Sequence, residues 1–192
     1  MEARLGLATP QDTVRGLFFL SMLEVVRALT DEATVERCLE ATGEREFLEF
    51  FNYPASLLIR LTFTAGHELS ARHGSFDEAL RHLGRQAMAD FFASAMGRSL
   101  LNLPGQDIRH LVSSMQTMYR MTMSYGERQV VWEGPTRGRL LLTRNFIPAP
   151  YHEGGLRTTL DKMGAPHVRV TGTQTALLDS EYEFSWGPPE VP

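Results

Sequence analysis

The hydrophobic period changes once along the chain, and that change limits the folds open to it. Up to about Ser124, apolar residues recur at three- and four-residue intervals, as in a helix with one buried stripe. From Tyr125 the repeat drops toward two, as in a strand with one buried face. A leading run of helices followed by a run of strands argues for an α+β domain.

Within the helical part, Thr9-Pro10 suits an N-cap and first helical residue, because proline there gives up only an orphan donor. The helix so opened is expected to run to about Leu29. Residues 31–42 form a second helix, with Val35, Cys38 and Leu39 on one side and Gly43 placed to end it. Phe47, Leu48, Phe50 and Phe51 make a short apolar connector that must be buried or bound. A third helix is predicted from Pro54 to Arg72, stopped at Gly74. Ser75-Phe76-Asp77-Glu78 is a capping-box pattern. The helix it opens carries Leu80, Leu83, Ala87 and Phe91. Gly84 in its middle costs about 1 kcal/mol relative to alanine, which points to close packing there. After a break at Leu103-Pro104-Gly105, a helix is predicted from Gln106 to Ser124, with Ile108, Leu111, Val112, Met115 and Met118 on its apolar side.

In the last third, Val130-Val131-Trp132, the turn Gly134–Gly138 and Leu140–Leu142 read as strand, turn, strand. Pro148 and Pro150 end the second strand. Residues 151–163 read as one amphipathic helix closed by Gly164. His167–Thr171 and Glu181–Trp186 alternate, as strands of an antiparallel sheet with one wet face do. The expected architecture is an N-terminal helical bundle packed on a C-terminal four-stranded antiparallel sheet, in the order ββαββ. One domain is expected over residues 1–192: mainly helical over 1–124, ββαββ over 125–186, and a loose tail over 187–192. The two parts are expected to share one core.

Charge and cysteine use exclude several classes of function. Nineteen basic against 23 acidic side chains give a net charge of −4. That balance excludes a polybasic nucleic-acid binder and gives no attraction to an anionic membrane. Ser21, Glu24 and Arg27 interrupt the longest apolar stretch, Leu17–Leu29, which is shorter than the ~20 residues of a membrane span. Glu2, Arg4, Asp12 and Arg15 do not form the leading region of a secretory signal. The single cysteine, Cys38, excludes an intramolecular disulfide and suits a reducing cytoplasm; it reads as a buried, inert thiol.

No catalytic constellation emerges. His67-Glu68-Leu69-Ser70-Ala71 begins like a zinc-protease motif, but Ala71 stands where the second histidine is needed, and His73 lies about 120° around the helix. His82, His110, His152 and His167 fall on different elements. His110, on an apolar, methionine-rich helix, is the least poor haem candidate. Met115, Met118, Met121 and Met123 do not share one narrow face, so core packing or the lining of an adaptable apolar pocket outweighs copper binding. There is neither a glycine-rich phosphate loop nor a Gly-x-Ser-x-Gly elbow. No metal and no cofactor are expected.

Several stretches resemble a family of bacterial proteins known mainly from myxobacteria and described as a domain of unknown function. They are Val14-Arg15-Gly16-Leu17-Phe18-Phe19, Phe51-Asn52-Tyr53-Pro54, Ala79–Arg85 and Glu181–Trp186. More remotely, the glycine-bearing stretch Tyr151-His152-Glu153-Gly154-Gly155-Leu156, followed by two strands, resembles a superfamily with three branches. These are the haem nitric-oxide/oxygen-binding (H-NOX) domains, the V4R small-molecule-binding domains and the TRAPP tethering subunits. The resemblance implies helices on a twisted four-stranded sheet, often with an apolar cavity and often dimeric. Haem-binding members carry a Tyr-x-Ser-x-Arg motif for the porphyrin carboxylates. The nearest stretch here, Ser124-Tyr125-Gly126-Glu127-Arg128, departs from it.

These features point to a non-enzymatic, cytoplasmic sensory or regulatory module in bacterial signalling, expected to form a homodimer or engage a protein partner and to bind a small apolar ligand. The expected pocket lining is Phe63, Met88, Phe92, Met115, Met118 and Tyr119. The alternatives are a structural homodimeric adaptor without a ligand, suggested by the apolar connector at 47–51, and a haem-based gas sensor.

Overall fold

The computed structural model describes residues 1–102 and 107–187, apart from the side chain of Met96. The N-terminal part holds α1 (Glu2–Leu5), β1 (Thr13–Arg15), α2 (Gly16–Leu29), α3 (Glu32–Thr42), β2 (Asn52–Pro54), α4 (Ala55–His73), α5 (Phe76–Ala93), α6 (Ala95–Leu101), α7 (Ile108–Ser113) and α8 (Met115–Arg120). The C-terminal part is β3 (Glu127–Trp132), β4 (Arg137–Thr143), α9 (Ala149–Lys162), β5 (Arg169–Gln174) and β6 (Ser180–Ser185). The last four strands form an antiparallel sheet in the order β3-β4-β6-β5. This is the α+β, ββαββ arrangement that the change of period implies. Among the described residues, no helix is long and apolar enough to cross a membrane.

Side-chain caps open α3, α5, α6 and α7. Asp31 accepts from the Thr34 amide and hydroxyl at the start of α3, and Gly43 ends it with φ at 79°. Ser75 accepts from the Glu78 amide at the start of α5, but Glu78 turns to Arg81 instead of completing the reciprocal cap. Three expectations need correction. The helix expected from Pro10 begins at Gly16. Asp12 accepts from the Thr9 amide at 2.7 Å and holds the chain in a turn, after which Thr13–Arg15 pairs with Asn52–Pro54. The helix predicted from Gln106 to Ser124 is two short helices divided at Ser114, whose hydroxyl bonds back to the His110 carbonyl. The apolar connector is only partly buried. Phe47 stacks on Phe19 with centroids 4.2 Å apart, while Phe50 and Phe51 are 70% and 62% exposed. The break at 103–105 and the tail beyond Gly187 lie outside the described residues.

The sheet turns Leu140, Leu142, Tyr182 and Phe184 inward. On the wet face Arg139 pairs with Glu133 and Glu181. Helix α9 lies between this sheet and α5. Its contact with α5 runs through glycines: a Cβ at Gly84 would stand 1.8 Å from the Tyr151 carbonyl oxygen, and one at Gly154 would stand 2.1 Å from that of Arg81. The two backbones therefore touch, as the mid-helix Gly84 implied.

The interior is not one continuous core. One buried cluster lies among the helices around Phe19, Met22, Ile59 and Leu80. A second lies under the sheet around Leu140, Leu156, Leu160 and Tyr182. Helix α9 contributes Tyr151 to the first and Leu156 and Leu160 to the second. The division falls there because its glycine-bearing stretch has few side chains with which to bridge the layers. Two polar ties cross the layers near the N-terminus. Arg4 donates to the Asn145 and Phe146 carbonyls, and Arg144 donates to Asp12 at 2.8 Å.

Candidate functional site

A partly open cavity of about 80 Å³ lies where the two buried clusters meet. Helix α5 lends it Met88, Phe91 and Phe92, which share one face because they are three and four residues apart. Helix α8 lends Met115, Met118 and Tyr119 by the same spacing. The sheet supplies Arg128 and Leu140. Helix α9 supplies Tyr151, His152, Gly155, Leu156 and Thr159. Gly155 leaves room on this wall: a Cβ there would stand 3.2 Å from the Met88 side chain.

The walls are apolar, but three polar atoms among the lining residues are buried without a hydrogen-bond partner. They are Arg128 Nε, the Tyr151 hydroxyl and His152 Nε2. Other polar groups nearby are satisfied. Thr159 donates to the Gly155 carbonyl, and the Tyr182 hydroxyl lies 3.2 Å from the Ala149 carbonyl and 2.9 Å from Ser180 Oγ. The Arg128 guanidinium lies over the Tyr119 ring, 3.8 Å from its centroid. Burial pushes the Tyr151 hydroxyl up, so it stays protonated. Burial, helped by the positive charges of Arg128 and Arg4, holds His152 well below the ordinary histidine value, so its imidazole is neutral. Arg128 is on the edge strand β3, in register with Leu142, which places it on the inward face.

Of the residues expected to line a pocket, the structure brings together Met88, Phe92, Met115, Met118 and Tyr119. Phe63 is not in the lining: it is half-buried on α4 beside Phe76, at a centroid distance of 5.5 Å. Sequence reasoning missed Arg128, Tyr151 and His152. A signal existed for one of them: His152, Leu156 and Leu160 recur every four residues, so the histidine continues an apolar stripe. Cys38 is buried on α3, and burial pushes its thiol up to about 11. His67 packs on Phe76, and His73 stacks on His82 at 4.5 Å. Among the described residues, no group of three or more histidine, cysteine, aspartate or glutamate side chains is placed to hold a metal ion.

The residues do not fit a haem. The cavity of about 80 Å³ falls far below the roughly 300–1,000 Å³ that a drug-sized ligand occupies, and a porphyrin is larger than most of those. His110 is exposed on α7 and does not line the cavity. His152 does line it, but its ring is packed edge-on between Tyr151 and Tyr182, at 5.3 and 6.4 Å.

Residues 7–187 match the family described as "Protein of unknown function (DUF2378)". No curated protein matches the sequence. Solved structures with the same architecture include the Fe(II) unliganded A71G mutant of an H-NOX protein from K. algicida. It aligns with a TM-score of 0.72 and 12% identity over 92% of this chain and 98% of that one. An H-NOX protein from S. oneidensis in the Fe(II)NO ligation state aligns with a TM-score of 0.69 and 11% identity, over 91% and 99%. The IWP-051-bound H-NOX from Shewanella woodyi in the Fe(II)CO ligation state gives 0.66 and 16%, over 92% and 96%. At these identities the likeness establishes an H-NOX-like fold and carries no ligand with it.

Proposed function

This chain belongs to the DUF2378 family, and from that footing we propose that it is a non-enzymatic sensory module holding a small apolar ligand between its helices and its sheet. The observation that carries this reading is the cavity itself, walled by Met88, Phe91, Phe92, Met115, Met118 and Leu156. Flexible thioethers adapt to irregular apolar shapes, which favours holding a molecule over transforming one. The H-NOX-like fold supports a sensory role by analogy. Its setting would be bacterial signalling in the cytoplasm.

Native mass spectrometry of the purified protein, followed by organic extraction, tests the reading. We expect one small apolar species in near-stoichiometric amount, or saturable thermal stabilisation of the emptied protein by 1-butanol. A saturating ligand at 100 times its Kd adds about 2.7 kcal/mol of stability. Neither a bound species nor stabilisation would refute the proposal.

A second reading, a homodimer or adaptor, draws support from exposed Leu48, Phe50 and Phe51 on the connector. A strict monomer in light scattering at micromolar concentration, with no change when Phe50 and Phe51 are made serine, would dismiss the homodimer.

A further inference from the structure

We propose that the ligand is an unbranched aliphatic chain with a neutral oxygen at one end, longer than the cavity alone can hold, and that its far end lies in a second chamber beyond Thr122. The inference rests on the ligand-holding reading above and specifies the shape of what is held.

The second chamber, about 130 Å³ and partly open, is walled by Leu17 of α2, Phe50 of the connector and Ala95 of α6. Thr122 lines this chamber and the cavity alike. Elsewhere the two linings pass from one residue to a close neighbour in sequence. Phe18 lines the cavity and Leu17 the chamber; Phe92 lines the cavity and Ser94 the chamber. The two spaces therefore lie on either side of one residue. An apolar cavity of about 150 Å³ holds one benzene molecule, so either space alone suits only a guest of that size or smaller. From Met88, in the cavity wall, to Ser94, at the end of α5, is about 9 Å of helix. An extended chain advances about 1.2 Å per bond, so about eight carbons reach from one to the other.

The two spaces differ in polarity, and that difference orients the chain. In the second chamber, polar side chains are already spent on main-chain carbonyls: Arg15 donates to Phe50, Ser94 to Phe91 and Thr122 to Tyr119. Glu49, which also lines it, is exposed to water. Phe50, 70% exposed on the connector, would gain burial from a hydrocarbon laid beside it. In the cavity, by contrast, the Tyr151 hydroxyl and His152 Nε2 are buried without partners. A buried polar atom costs free energy until it is paired, so the oxygen of the guest belongs there and its hydrocarbon end beyond Thr122. Thr122 is held twice over: its hydroxyl donates to the Tyr119 carbonyl, and its own carbonyl accepts from the Arg15 amide. It yields little, so passage beside it favours a straight chain over a ring of the same carbon count.

The test is an NMR titration of isotope-labelled wild-type protein, stripped of any co-purified species, with 1-butanol, 1-hexanol, 1-octanol and cyclooctanol. We expect 1-butanol to shift the amides of Met88 and Gly155 but not those of Leu17 and Ala95, and 1-octanol to shift all four. Affinity should rise about fourfold per methylene from butanol to octanol, as for full burial of each, and 1-octanol should bind at least about tenfold more tightly than cyclooctanol. Ala95→Trp, a change at an exposed position, should fill the second chamber and level the series after 1-butanol, whose own binding stays in place. Affinity that stops rising at 1-butanol, or 1-octanol that leaves Leu17 and Ala95 unshifted, overturns the second chamber and leaves the apolar-ligand reading standing. Cyclooctanol binding as tightly as 1-octanol overturns the straight-chain assignment, and an undiminished rise in Ala95→Trp overturns the placement of the far end. Binding of none of the alcohols, with no co-purified species, overturns both readings. The wild-type titration decides the matter even if Ala95→Trp fails to fold.

Discussion

Gly84→Ala tests the glycine seam between α5 and α9 directly. At an unconstrained mid-helix position this change stabilises by about 1 kcal/mol, because alanine is the better helix former. Here the new Cβ would stand 1.8 Å from the Tyr151 carbonyl oxygen and 3.2 Å from the Gly155 amide nitrogen. The obstacle is backbone, so no side-chain rotation relieves it. The helices must separate by more than 1 Å, spoiling the buried packing of Leu83, Ala87 and Tyr151. Overpacking of this kind costs about 1–3 kcal/mol even where side chains can yield, so the expected net loss is about 2 kcal/mol. For a chain of this length that is a Tm decrease of about 4–8 °C. Gly154→Ala, facing the Arg81 carbonyl at 2.1 Å, should behave alike. Gly155→Ala meets the flexible Met88 side chain at 3.2 Å and the Gly84 carbonyl oxygen at 3.4 Å, an ordinary contact distance, and should be near neutral. Urea denaturation of the three variants, with m-values compared, measures the contrast. A Gly84→Ala protein as stable as wild type, or a Gly155→Ala protein as damaged as Gly84→Ala, would refute the seam.

Other outcomes follow from the buried polar groups. His152→Gln should flatten the acid dependence of stability. The folded pKa of His152 lies below its unfolded value, so the unfolded chain takes up the proton first and stability falls as pH drops below about 6.5. The wild type should lose about 1 kcal/mol more than the variant between pH 7.5 and 5.5, read from urea midpoints. Asp12→Asn should cost about 1–2 kcal/mol at pH 7, a figure discounted because the Arg144 side chain is partly exposed. The Arg144 hydrogen bond holds the Asp12 carboxyl below its usual range, so this contribution is present above about pH 4 and vanishes as pH falls through the folded pKa. Equal stability of Asp12→Asn and wild type at pH 7 would count against the tie. Cys38, buried with its thiol pushed up to about 11, should react with a disulfide reagent only in denaturant. Prompt labelling of the folded protein would contradict its burial.

The parts of the fold legible in the sequence are those that repeat. Val168 and Val170, then Tyr182, Phe184 and Trp186, alternate long enough to fix both last strands. Ser75 and Asp31 mark helix starts through local hydrogen bonds, which depend on nothing distant. The β1–β2 ribbon was not legible, because two three-residue strands offer no period to detect. Neither was the division at Ser114, since Met115 and Met118 continue the apolar spacing of α7 across it. The exposure of Phe50 and Phe51 was also beyond local reasoning: burial is decided by what packs against a segment. At the cavity, the apolar lining on α5 and α8 followed from helical spacing. Arg128 did not, because a strand residue's inward direction depends on its register with Leu142.

The glycine contact leaves the cavity with one fixed jaw and one yielding jaw. Helix α9 is clamped, main chain to main chain, against α5, and its far side rests on the sheet, so it has no slack to give an entering molecule. Opposite it stand Met115 and Met118 on a six-residue helix. A guest too large for the resting space must therefore push α8 outward, and its size would be registered as displacement of that helix.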